Sequence, residues 1–292
     1  MDKKRIESTA LLVLTAMIWG LAFVAQQVGT EKIGPLTFIA LRYLLGALAV
    51  APCLLFFAEK KISGVKLKKS LIAGIICGVI LFVASYLQQR GLMMTTVGKA
   101  GFISALYIII IPIIGLFWGK KVSRTIWLAL AVALIGMYLL CMTGSLKVEM
   151  GDFLVLLCAA GFSCHILSID HFLSHVDVIY LSVVQFLVAG ILSLIFMIFF
   201  ETPDMTSILQ AKIPILYTGI LSSGVAYTLQ IIGQKHVKPV IASLIMSLES
   251  VFSLLAGFLI LGDTLTSREL LGCTLMFVAI IIAQVPNKKI AQ

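Results

Sequence analysis

The stretch "IASLIMSLESVFSLLAGFLIL" (Ile241–Leu261) carries one charge, Glu249, in a run that is otherwise apolar or small. At about 1.5 Å of rise per residue, a run of this length crosses the roughly 30 Å of hydrocarbon in a bilayer. The rest of the chain agrees with a membrane reading. Its 292 residues are 61% hydrophobic and only 12% charged, with a mean hydropathy of +1.12. A water-soluble domain needs far more polar surface to wet its exterior.

Working outward from that stretch, ten segments meet or approach spanning length, near 8–28, 36–57, 70–88, 99–118, 126–143, 152–170, 179–200, 212–231, 239–261 and 269–286. The connections are short and leave no room for a soluble domain. Lys and Arg are retained on the cytoplasmic side of short loops. With the N-terminus inside, Lys3, Lys4, Arg5, Lys60, Lys61, Lys66, Lys68, Lys69, Lys120, Lys121, Arg124, Lys235, Lys238, Lys288 and Lys289 share one side. Lys32, Arg90, Lys99, Lys147, Lys212 and Arg268 lie on the other, and Arg42 falls inside a span. Fifteen against six predicts a multi-pass protein of the cell membrane with both termini cytoplasmic.

The net charge of +9 does not point to nucleic acid, because the basic residues sit in separate short loops. The six cysteines (Cys53, Cys77, Cys141, Cys158, Cys164, Cys273) all fall in apolar runs without metal-ligand spacing, and read as small packing residues. The basic "MDKKRIESTA" runs into an apolar segment whose "WGLAFVAQQVG" end lacks a small-x-small cleavage site, which predicts an uncleaved first span. No cofactor or metal site is expected.

The chain compares with itself at a separation of 141 to 143 residues. "YLQQRGL" (from Tyr86) aligns with "YTLQIIGQ" (from Tyr227), "WGKKVSRTIW" (from Trp118) with "LGDTLTSREL" (from Leu261), and "ALRYLLGA" (from Ala40) with "VVQFLVAG" (from Val183). The last sets Arg42 opposite Gln185. Each copy holds five spans, and an odd number makes the second copy start from the opposite side. The fold class expected is an all-α membrane protein of ten transmembrane helices in two inverted five-helix repeats, 1–148 and 149–292. Such pairs build alternating-access carriers with a substrate site between the halves. The bland alternative is chance similarity among apolar segments.

"RGLMMTTVGKAGFISALYIIIIPIIG" (Arg90–Gly115), "IASLIMSLESVFSLLAGFLILGDTLT" (Ile241–Thr266) and the "WG" at Trp19 together resemble the EamA-like branch of the drug/metabolite transporter superfamily, over essentially the whole chain. SLESVF is similar to a Leu-Glu-Pro-Val-Phe pattern with Ser250 in place of Pro. LGDTLT is similar to a Gly-Glu-Arg-Leu pattern, with Asp263 and Thr264 at the Glu and Arg positions. The resemblance implies a carrier of small metabolites, often outward, among amino acids, vitamins, nucleobases and sugar derivatives.

A carboxylate about ten residues into a span costs about 2.5–3.5 kcal/mol to insert, and is tolerated where it faces water, a cation or a substrate. Glu249 therefore has two readings: it exchanges a proton or pairs with a substrate amine, or it is a neutral hydrogen bond between helices. Arg42 either snorkels to the outer surface or faces a cavity and meets anionic groups, Glu249 included. Tyr86, Gln88, Gln89, Tyr227 and Gln230 are uncharged groups able to orient a polar substrate, or belt and interface residues. Trp19 lies near mid-span, and Tyr107 falls where the repeat puts the counterpart of Glu249. His165 lies inside the sixth span and can sense protons. His171 and His175, four apart beside Asp170 and Asp177, resemble a metal site only faintly. Gly74 with Gly78, Gly115 with Gly119, and Gly257 permit close helix approach, and Pro112 is expected to kink the fourth span.

No GxxxxGK[ST] motif occurs, so a transporter must run on a gradient, with protons one candidate. An intramembrane enzyme would need a catalytic pair such as HExxH, which is missing. A channel would need filter elements, and no such segment stands out. The partners expected are the lipid bilayer and a small-molecule substrate, with the working unit a monomer or homodimer.

Overall fold

The structure, a computed structural model, describes residues 3–95, 97–117, 119, 121–142, 149–256, 258–259 and 266–284. Among the described residues ten helices are long and apolar enough to cross a membrane: Lys3–Thr30, Pro35–Phe56, Gly64–Leu92, Lys99–Phe117, Arg124–Cys141, Met150–Phe172, Val178–Phe200, Lys212–Gln234, Pro239–Ala256 and Ser267–Gln284. Trp118, Lys120, Lys147, Gly257, Asp263, Thr264, Lys288 and Lys289 lie outside the described residues.

Local signals set where these helices start. Proline stands at the first position of the second and ninth spans, where its missing N–H costs nothing. Ser63, Ser123 and Asp177 each accept a backbone N–H at the start of the third, fifth and seventh spans. The second span is capped from a distance: Leu36 N and Thr37 N donate to the Glu201 carboxylate at 2.8 Å, and Thr37 Oγ1 at 2.6 Å. That carboxylate ties the end of the seventh span to the start of the second.

The second span packs on the seventh and eighth, the third on the sixth and seventh, the first on the eighth and ninth, and the fifth on the tenth. Each half therefore packs chiefly against the other. Lipid chains are as apolar as leucine, so small residues rather than hydrophobicity bring such helices together. Gly74 and Gly78 rest on Val184 and Val188 of the seventh span. Gly136 and Gly272 meet where the fifth and tenth spans cross, each lying against the carbonyl oxygen of the other. Gly119 has φ of +72° and follows the fourth span, so it takes no part in the helix face expected from its spacing with Gly115.

The fourth span is interrupted, but not at Pro112. It runs Val97–Ser104, breaks at Ala105 and Leu106, and resumes as Tyr107–Phe117 with Pro112 inside the second piece. The ninth span, expected as one helix, breaks likewise: Pro239–Met246, a turn at Ser247 and Leu248, then Glu249–Ala256. Both resumptions, Tyr107 and Glu249, are 142 residues apart, the period of the internal repeat. Pro112 lies inside the resumed helix, past the break.

A second irregularity lies in the eighth span, where Tyr217–Tyr227 is a π-helix. Wider turns of this kind are rare and recur at functional sites. Here the first span supplies donors: Trp19 Nε1 to Ser222 O at 3.2 Å and Thr15 Oγ1 to Ala226 O at 3.3 Å.

Candidate functional site

Serine hydroxyls bond carbonyls beside the two breaks. Ser104 Oγ donates to Gly101 O at 3.2 Å, Ser247 Oγ to Leu244 O at 2.7 Å, and Ser250 Oγ to Ser247 O at 2.9 Å. The resumed helices begin at Tyr107 and Glu249, and the two side chains meet, with Tyr107 Oη donating to Glu249 Oε1 at 3.3 Å. A carboxylate in the first turn also lies at the positive end of the helix dipole. The first span holds this arrangement from behind. A Cβ on Gly20 would stand 2.7 Å from Glu249 O, so only glycine lets the first span come this close.

Arg42 lies across the same space. It is 3% exposed, so it does not snorkel. Its Nη1 donates to Gln26 Oε1 at 2.7 Å, its Nη2 to Ser222 Oγ at 3.3 Å and its Nε to Ser223 Oγ at 3.3 Å. The guanidinium carbon stands 5.0 Å from the Tyr43 ring centroid. These hydrogen-bond partners are neutral. An ion pair with Glu249, one of the anionic groups the sequence allowed for Arg42, is not found among the described residues, and the guanidinium turns toward the π-helix.

Between Arg42 and Glu249 lies a partly enclosed cavity of about 50 Å³, room for roughly three or four waters. Arg42, Glu249, Trp19 and Tyr107 line it, and so do His165, Tyr227, Gln230 and Gln88. Trp19 and Tyr227 pack with ring centroids 4.7 Å apart, and His165 meets the Tyr227 ring edge-on at 5.9 Å. The wall thus offers a cation and an acid set in aromatic rings and amides.

Three residues singled out from the sequence stand outside this wall. Gln89 Nε2 donates to Thr30 Oγ1 at 3.2 Å and to Gln26 O at 3.4 Å, behind the residue that holds Arg42. Gln185 pairs with His165 Nε2 at 3.0 Å, and so stands behind the imidazole. Tyr86 stacks on Phe82 at 6.4 Å, away from the cavity. His171 lies against Phe172 and His175 bonds Ser174 Oγ, and among the described residues no group of three metal-ligating side chains forms. Cys164 is exposed on the surface that lipid would cover rather than packed within.

Sequence reading passed over Gln26, Ser222, Ser223 and Ser104. Gln26 had a signal, since a carboxamide inside an apolar span needs a partner. The serines had none, because Ser is ordinary in membrane helices.

Together these features define a polytopic membrane protein whose two five-helix copies close around a polar chamber. A family model described as the EamA-like transporter family matches residues 8–142 and 149–284, once for each copy, and the chain belongs to that family. The chain is 30% identical over 283 residues to an uncharacterized transporter of Archaeoglobus fulgidus, covering 96% of this chain and 86% of the relative. It is 25% identical over 275 residues to the uncharacterized transporter YoaV of Bacillus subtilis, covering 91% and 92% respectively. A solved crystal structure superimposes with a TM-score of 0.80 over 98% of both chains at 17% identity, a likeness of fold alone. The protein is therefore a multi-pass membrane transporter.

Proposed function

We propose that this transporter is a secondary carrier that moves a small amphoteric metabolite, amino acid-like in its charge pattern, outward across the cell membrane by alternating access. The halves that rock are 1–148 and 149–292, as monomer or homodimer, with both termini cytoplasmic. One observation carries the reading: Arg42 and Glu249 line a single cavity, and neither belongs to any ion pair found among the described residues. Opposite charges that face a shared space without joining leave both available, Arg42 to a carboxylate and Glu249 to an ammonium group or a proton. Trp19, Tyr107 and Tyr227 supply apolar walls with polar edges, and Gln230 and Gln88 supply amides. Vitamins and nucleobases fit the amides and rings but use the two charges less fully. The resumed helices at Tyr107 and Glu249 give the halves matched points at which to bend.

The test is counterflow in liposomes loaded with unlabelled amino acids and diluted into labelled ones. Saturable exchange that is lost in Arg42→Gln and in Glu249→Gln supports the reading. Variants that exchange at the wild-type rate at every pH would remove both residues from the mechanism. Formation of a new chemical product, or flux that never saturates, would replace the carrier with an enzyme or a channel.

A further inference from the structure

At the end of the bundle that carries Lys121, Lys235 and Lys238, the helices part around a second and larger hollow of about 590 Å³. Its wall comes from the fourth span near Pro112 and Gly115, the sixth at Leu167 and Asp170, and the connection from Gln234 to Val240. The three lysines and His236 line it against one carboxylate, Asp170. The helix Pro239–Met246 also begins in this wall, with Lys238 at its N-cap, so its positive dipole end adds to the same field.

The hollow adjoins the central cavity. Gln234 and Leu167 line the hollow, whereas Gln230 and Ile166 line the cavity, one helical turn or less along the same two spans. Gln230 Nε2 donates to Gln234 Oε1 at 3.0 Å, and Gln234 Nε2 to Ile166 O at 3.2 Å. Two neutral amides thus separate the spaces. The other atom of the first amide, Gln230 Oε1, is buried without a protein partner among the described residues. A buried acceptor of this kind calls for a donor from water or solute.

We propose that the hollow is an anion-binding vestibule that takes one carboxylate or phosphate group. On the carrier reading, on which this inference rests, a solute's anionic end is gathered by the lysines and then passed by the Gln230–Gln234 pair to Arg42. An anionic lipid headgroup presents the same chemistry, and the experiment separates the two sources.

The full-length protein is placed in nanodiscs of phosphatidylcholine alone and titrated with inorganic phosphate in a calorimeter. Saturable binding is expected. It should weaken as salt is raised, and weaken at least about tenfold in the double variant Lys235→Gln with Lys238→Gln. Lys212→Gln, at the other end of the eighth span, should bind phosphate as the wild type does, which places the ion in the vestibule rather than on surface lysines in general. The double variant should melt with the wild type when no anion is present, so that lost binding is not lost folding. Adding a few mole per cent of phosphatidylglycerol identifies the source: displacement of phosphate marks a lipid headgroup, and undiminished phosphate binding marks a free solute. Absence of saturable binding, or binding unchanged by the double substitution, overturns the vestibule and leaves the lysines as topological signals only. Because no flux is measured, that result leaves the carrier reading standing.

Discussion

Replacing Gly20 with alanine tests whether the first span truly holds the acidic corner of the cavity in place. A Cβ there would lie 2.7 Å from Glu249 O, 2.7 Å from Phe252 Cβ and 2.8 Å from Ser253 N. Two of these three neighbours are backbone atoms, so no side-chain rotation relieves the contact. Reaching an ordinary separation of about 3.4 Å requires the two helices to part by roughly 0.7 Å, and overpacking of this order costs about 1–3 kcal/mol. For a chain of this size each kcal/mol lowers the melting temperature by about 2–4 °C. Thermal melting of the detergent-purified protein should therefore fall by roughly 2–12 °C in Gly20→Ala. Gly101, which has nothing within 4 Å of a Cβ position, is the control. Gly101→Ala should melt no lower than the wild type, and its gain in helix propensity favours a slight rise. The distance between Tyr107 Oη and Glu249 should also change, so exchange activity should fall in Gly20→Ala more than in Gly101→Ala. A Gly20→Ala protein that melts and transports as the wild type would refute the close approach.

Other outcomes follow from contacts already described. Arg42→Lys should not rescue transport lost in Arg42→Gln, because an ammonium group cannot reach Gln26, Ser222 and Ser223 together; comparing the two exchange rates checks this. Glu201→Ala uncaps the second span and should cost about 1 kcal/mol, read as a drop of a few degrees in melting temperature, with no loss if the cap is idle. Asp152 accepts from Thr95 Oγ1 at 2.5 Å and lies 3.6 Å from Lys99 Nζ. Asp152→Asn and Lys99→Met should each lower the melting temperature, and the double variant by less than their sum, since the two changes remove one shared contact. Additive melting shifts would argue that the two do not form a pair. Ala at both Gly136 and Gly272 should destabilise more than either alone, which a melting series of the single and double variants measures.

Hydrophobic length revealed all ten spans, because a run such as Ile241–Leu261 has no other stable use. The breaks inside two of them were hidden. Neither Ala105–Leu106 nor Ser247–Leu248 contains glycine or proline, so nothing local announces a turn. Pro112 was the conspicuous breaker and sits inside an intact helix. What the repeat did expose was the equivalence of Tyr107 and Glu249, and these residues share a hydrogen bond. Charge picked out Arg42 and Glu249 as costly, yet depth along a helix axis says nothing of rotation about it, and so the neutral partners that hold Arg42 were hidden. The π-helix at Tyr217–Tyr227 was likewise invisible, since its carbonyls are completed by Trp19 and Thr15 from about 200 residues earlier in the chain.

The reciprocal contact of Gly136 and Gly272 ties one copy to the other. Where the fifth and tenth spans cross, each glycine lies against the backbone of the facing helix, so bulk added to either one presses at once on the opposite half of the molecule.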